Sequence, residues 1–212
     1  MENDKLSNRP ISPNRPISPN RPISPKTQAQ RLFTAIALPD GHKQKLRQWA
    51  EQDLEELPFR KWSDFRDYHV TLQFLGDVAT SDISKLEQAL VQAAAEHAPF
   101  MLRIGEAGFF GREQFPRVLW RGVTGQRESL DQLYHSILRA TEPLGFKPEE
   151  RPYRPHITVA RSYTGKEPVP VSVWQPNDRI AEPWEVGEFV LYATRMGQKP
   201  MYQIIQTFPL LR

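Results

Sequence analysis

"HVTLQFLG" occupies residues 69–76, and "HITVAR" occupies residues 156–161. Both open with His, an apolar residue, Thr and a second apolar residue, in a chain that holds only five histidines. Each reads as a β-strand whose successive side chains leave opposite faces. His69 and Thr71 then stand about 6.5 Å apart on one face. Val70, Leu72 and Phe74 share the other face, and Gly76 closes the strand. His156 and Thr158 repeat the arrangement over Ile157 and Val159. An apolar far side seats such a strand in a core and gives the polar pair a stiff base. Arg161 breaks the pattern. Strict alternation sends it to the core side, where an unpaired guanidinium is costly. It reaches the histidine face only if the strand ends, twists or bulges before it.

"RLFTAIALP" (31–39) reads as a buried strand ended by proline. Residues 40–57 place Leu46, Trp49, Ala50, Leu54 and Leu57 on one helical stripe. Thr80 or Ser81 can cap a helix reaching about residue 97, with Ile83, Leu86, Leu90 and Ala94 inward. Strands follow near 100–105 and in "RVLWRGV" (117–123). A helix over about 127–143 turns Leu130, Leu133, Tyr134, Ile137 and Leu138 inward, and Gly145 stops it. The proline-rich residues 168–183 read as loop. "FVLYATR" (189–195) and "YQIIQTFPL" (202–210) form a terminal hairpin around "MGQKP". Paired strands with interspersed helices, and no GxGxxG or GxxxxGK[ST], argue an α+β protein with mainly antiparallel sheets. The two His-led strands fall at similar places in the two halves. That predicts two lobes of related layout facing one another.

The composition is that of a soluble domain: 212 residues, 39% hydrophobic, 25% charged, net charge +3. No apolar run is long enough to span a membrane. There is no cysteine, which excludes disulfides and thiolate metal sites and fits a reducing cytoplasm. "NRPISP" stands three times in tandem at 8–13, 14–19 and 20–25. Two prolines in every six residues oppose both helix and sheet. Residues 1–29 are therefore expected to form an extended, solvated tail, and residues 30–212 the folded domain. The repeats read as an expansion outside the chemistry, or as a docking or phosphorylation segment.

Two imidazoles and two hydroxyls around one cavity suit a phosphodiester. In-line hydrolysis needs a base for the attacking water and an acid for the leaving oxygen. Imidazole, with an ordinary pKa near 6.5, can serve as either. Threonine hydroxyls donate to phosphate oxygens without adding negative charge, and Arg161 supplies positive charge. A metal site fails on donors, because neither motif carries a carboxylate or a second histidine at ligand spacing. His42, His97 and His135 read as surface residues among polar neighbours.

The paired motifs resemble the 2H phosphoesterase superfamily. "RLFTAIALP", "HVTLQFLG", "PRVLWRGV" and "RPYRPHITVAR", in that order, look like the bacterial and archaeal RNA 2′,3′-cyclic phosphodiesterases over roughly residues 31–210. The resemblance implies a bilobal α+β fold, with two antiparallel sheets facing a central cleft and helices on the outer sides. It implies chemistry without metal or cofactor on RNA ends bearing a 2′,3′-cyclic phosphate. His69 is then the proton donor to the departing ribose oxygen, and His156 the proton acceptor from water. Thr71, Thr158 and Arg161 hold the phosphate. The product is a 2′-phosphomonoester, and the resemblance also implies reversible joining of ends through a 2′,5′ linkage. A cyclic mononucleotide or 2′,5′-oligonucleotide substrate stays open, as does a nucleotide-binding module without activity. Trp62, Phe109, Phe110, Trp120, Tyr153 and Trp184 are stacking platforms for a base or, more simply, core and rim. Arg117 and Arg154 either steer RNA or are solvated. The chain is expected to be a monomer.

Overall fold

The computed structural model describes residues 28–54, 56–175 and 180–211, so the NRPISP repeats lie outside the described residues. The strands and long helices run β1 (Ala29–Ala37), α1 (Asp40–Asp53), β2 (Phe59–Trp62), β3 (His69–Ala79), α2 (Thr80–Ala95) and β4 (Phe100–Gly111). They continue as β5 (Pro116–Gly125), α3 (Arg127–Thr141), β6 (His156–Tyr163), β7 (Pro183–Val186), β8 (Glu188–Thr194) and β9 (Tyr202–Pro209). The strands form two antiparallel sheets, ordered β3-β1-β8-β9 and β2-β6-β5-β4-β7. The expected α+β architecture holds, with one His-led strand in each sheet.

β1 explains why "RLFTAIALP" is apolar throughout. Leu32 and Ile36 enter the main core shared with all three helices, while Phe33 and Ala35 join Val190 and Tyr192 of β8 in a second cluster on the opposite face. A strand buried on both faces cannot alternate. Ala29, placed in the tail by sequence, is the first residue of this strand and pairs with Ala79. Two strands were missed, β2 and β7, each of four residues. Both are edge strands, too short to show a period.

β3 departs from regular alternation twice. Its pairing with β1 slips between Thr34 and Ala35, opposite Gln73 and Thr71, and again between Leu32 and Phe33, opposite Gly76 and Phe74. Each slip leaves one extra residue in β3, and an extra residue exchanges the faces of everything after it. Gln73 therefore goes inward, 5% exposed, and accepts a hydrogen bond from the Thr141 hydroxyl at 2.8 Å. Phe74, assigned to the core side by simple alternation, is 56% exposed. Gly76 does not close the strand, which runs on to Ala79. It takes a positive φ of 74° at the second bulge, where a side chain would be strained.

Neither Thr80 nor Ser81 caps α2. Thr80 is already helical, and its N–H and hydroxyl both donate to the Gln28 carbonyl, at 2.9 and 2.7 Å. That fastens the helix start to the beginning of β1. The first sheet also curls. β3 and β9 are its opposite edges, yet the carboxylate of Asp67, two residues before β3, accepts the N–H groups of Met201 (2.8 Å) and Tyr202 (3.0 Å) at the start of β9. The sheet is therefore curled into a half-barrel whose corners meet at one side chain. The first histidine lies on the face of that sheet that carries Phe33, Tyr192 and Tyr202.

Candidate active site

His69 opens β3, and its ring is enclosed by three others. Phe33 lies 5.0 Å away, Tyr202 meets it edge-on at 5.1 Å, and Tyr192 is at 5.8 Å. Nδ1 donates to the carbonyl of Asp67 at 2.6 Å. A carbonyl only accepts, so Nδ1 carries the proton and Nε2 is the working atom. Nε2 lies 3.1 Å from the Thr71 hydroxyl, as the i, i+2 spacing predicted. Burial, with the charges of His156 and Arg161 adding to it, lowers this imidazole to about 4; the Asp67 carbonyl opposes the shift.

His156 opens β6 in the facing sheet and is held in the same manner. Nδ1 donates to the carbonyl of Arg154 at 2.7 Å, again two residues upstream. Its ring rests edge-on against Phe110 at 4.9 Å and tilted against Trp120 at 6.0 Å. Trp120 in turn lies flat over Gly108, where a Cβ would come within 2.2 Å of the indole. Burial lowers His156 as well, and the Arg161 charge adds to that; the Arg154 carbonyl opposes it. Two imidazoles, each carrying its proton on Nδ1 and each lowered by burial, thus stand where β3 and β6 meet.

Arg161 arrives by the bulge that its position demanded. The β5–β6 register slips between Leu119 and Trp120, opposite Ala160 and Thr158, so Val159 is the extra residue. Parity then reverses. Ala160 is fully buried, and Arg161 is exposed, with its guanidinium donating to the Thr158 hydroxyl at 3.4 Å. The next residue, Ser162, has φ 61°, a left-handed conformation that bends the strand just past the arginine. The bulge in β3 falls at the equivalent place, at Leu72, and delivers Phe74 five residues beyond His69 just as Arg161 lies five beyond His156. The two strands are local copies with different cargo.

A cavity of about 460 Å³ opens from this junction. Thr71, Phe74 and Tyr153 line it with Phe110, Arg117 and His156 of the second sheet and its loops. The Tyr153 hydroxyl donates to the Thr71 carbonyl at 3.1 Å and joins the two halves. The structure so brings together His69, Thr71, His156, Thr158 and Arg161 where β3 and β6 meet. The remaining aromatics divide: Trp184 is core, Phe109 packs on Trp174, and Trp62 lines a separate hollow with Phe65 and Tyr68. His97 is not a plain surface residue. It is half-buried and lies 2.9 Å from the Ser136 hydroxyl, bridging α2 and α3. Sequence reasoning missed Asp67, Phe33, Tyr192 and Tyr202. The only local signal was the unbroken apolar run of β1, which announced a second buried face.

Among the described residues, no group of three or more His, Cys, Asp or Glu side chains could hold a metal ion. None of the helices there is long and apolar enough to cross a membrane.

Two facing antiparallel sheets, each presenting a His-x-Thr strand to a shared cleft, define a protein of the 2H phosphoesterase class. The chain belongs to the 2′-5′ RNA ligase superfamily, whose family model matches residues 38–198. It is 35% identical over 185 residues to the RNA 2′,3′-cyclic phosphodiesterase of Bacillus subtilis, covering 84% of this chain and 95% of that one. A Geobacillus stearothermophilus protein of the same name is 37% identical over 179 residues; the match spans 84% of this chain and 57% of that longer protein. Among solved structures, E. coli LigT complexed with 3′-AMP superposes with a TM-score of 0.70 at 27% identity, covering 87% of this chain and 99% of LigT.

Proposed function

We propose that the chain hydrolyses RNA 2′,3′-cyclic phosphate ends to 2′-phosphomonoesters by acid–base catalysis between His156 and His69, without a metal. The observation that carries this reading is the matched pair of imidazoles. Each is fixed through Nδ1 by the carbonyl two residues upstream, and Nε2 of His69 stands beside the Thr71 hydroxyl. The names of the relatives, RNA 2′,3′-cyclic phosphodiesterase, support the substrate.

Neutral His156 takes a proton from water as its oxygen bonds to phosphorus. Protonated His69 gives its Nε2 proton to the ribose 3′-oxygen as the P–O3′ bond breaks. The 2′-ester survives. Thr71, Thr158 and Arg161 donate to the non-bridging oxygens, where negative charge accumulates in the transition state. The cycle ends with His156 charged and His69 neutral, and exchange with solvent restores both. With an RNA 5′-hydroxyl in place of water, the same step joins two ends through a 2′,5′ linkage: His156 takes the hydroxyl proton and His69 protonates the departing 3′-oxygen. The name of the matching family supports that outcome.

The test is steady-state turnover of an RNA oligomer with a cyclic terminal phosphate. His69→Ala and His156→Ala should each lower kcat by roughly 10²- to 10⁴-fold with KM little changed, the range for loss of one proton-transfer group. If either variant retains wild-type kcat, its role is refuted.

A further inference from the structure

The cavity beside the histidines is one-sided, and its far wall carries charge that the chemistry above does not use. Thr71 and His156 line it, whereas Thr158, Arg161 and His69, which reaches it through Thr71, do not. A phosphate held at Arg161 and Thr158 therefore sits at one end. His69 is walled on its other sides by Phe33, Tyr192 and Tyr202, which leaves the cavity as the route for the rest of the substrate. Along that route lie Arg117, from the start of β5, and Arg151, from the loop before β6; both are exposed. With Arg154 they make three guanidinium groups in the lining against one carboxylate, Glu149. Among the described residues none of these arginines has an ion-pair partner.

Substrate chemistry gives that charge a direction. On an RNA ending in a 2′,3′-cyclic phosphate, the last ribose is connected to the chain only through its 5′-oxygen. Any further anion reaching along the cavity is therefore the phosphodiester on the 5′ side. Guanidinium groups match such an anion in geometry and charge. We propose that Arg117 and Arg151 form a subsite for the phosphodiester 5′ of the reacting nucleotide. The subsite makes the chain an enzyme of oligonucleotide ends in preference to cyclic mononucleotides; this rests on the reaction proposed above.

The experiment compares kcat/KM for a 2′,3′-cyclic mononucleotide with that for a dinucleotide and a trinucleotide ending in the same cyclic nucleotide. Wild type should favour the oligomers by roughly tenfold or more, the effect of one charged hydrogen-bonded interaction. The double variant Arg117→Ala, Arg151→Ala should lose that preference while its mononucleotide turnover stays within about twofold. Arg117→Lys, Arg151→Lys should keep most of the preference. The salt dependence of oligomer turnover should flatten by about 0.7 in log–log slope for each phosphate that is no longer neutralised. Direct binding of an oligonucleotide ending in a 2′-phosphate gives a readout independent of catalysis, and the double Ala variant should weaken it by about tenfold. Equal wild-type efficiency on all three substrates, or unchanged oligonucleotide binding in the double Ala variant, overturns the subsite. A wild type that turns over nothing yet binds the oligonucleotide through these arginines refutes the reaction and retains the subsite.

Discussion

At His69 and His156, burial sets the protonation state before any substrate arrives. His69 lies at about 4 and His156 is also lowered, so the free protein holds both rings neutral near pH 7. The base is ready, and the acid is not. Raising the pH through the acidic range strips the His69 proton, so kcat/KM, which reports the free enzyme, should peak below pH 6.5 and fall on the alkaline side. Negative charge on a bound phosphate favours the imidazolium form and raises both groups. The kcat profile, which reports the complex, should therefore sit at higher pH than the kcat/KM profile on the same substrate. Coincident profiles, or the reverse order, would refute the assigned roles. The placement of His69, Thr71, His156 and Thr158 was legible in the sequence, because parity along a strand is local; Arg161 ran against parity and needed a bulge. Asp67 and Tyr202 were not, since nothing local relates residue 67 to residue 202.

The paired bulges do the positioning at the scale of the strand. The extra residues Leu72 and Val159 reverse parity at the same point of each copy, sending Phe74 and Arg161 to the cleft side. For Arg161 a bulge could be foreseen, because a buried unpaired guanidinium is costly. For Phe74 it could not, as an apolar side chain raises no objection to burial and the slip is set by register against β1. Asp67 is the other device at this scale. Asp67→Ala removes the acceptor for two backbone N–H groups and frees the carbonyl that orients His69. Stability should fall by about 1–3 kcal/mol for each donor left buried without a partner. Turnover should fall with it, while Asp77→Ala, which breaks only an exposed pair with Arg31, changes both little. Thermal unfolding and kcat on the three proteins measure this. Equal effects of the two substitutions would contradict the role given to Asp67.

Across the whole molecule, one continuous core joins both sheets to the helices, and the cleft is the seam between the two His-led strands. That plan was legible in the doubled motif and in the order of elements. The curl of the first sheet was not, since it depends on Asp67 meeting the opposite edge. The folded part also begins earlier than proline content suggested. A chain starting at Gln28 keeps the carbonyl that receives Thr80 and should match the full chain in Tm and kcat/KM. A chain starting at Arg31 lacks that carbonyl and the Ala29–Ala79 pairing, and should unfold at lower temperature. Equal Tm for all three would show that this end of β1 carries no stability.

Metal-free opening of the cyclic phosphate by two histidines is the central claim. Phosphorus NMR of a short RNA ending in a 2′,3′-cyclic phosphate, incubated with the protein in EDTA, tests it most directly. The cyclic resonance should give way to a 2′-phosphomonoester with the wild type, and persist with His69→Ala and with His156→Ala. A 3′-phosphate product, turnover that EDTA abolishes, or an unchanged cyclic resonance with the wild type would contradict it.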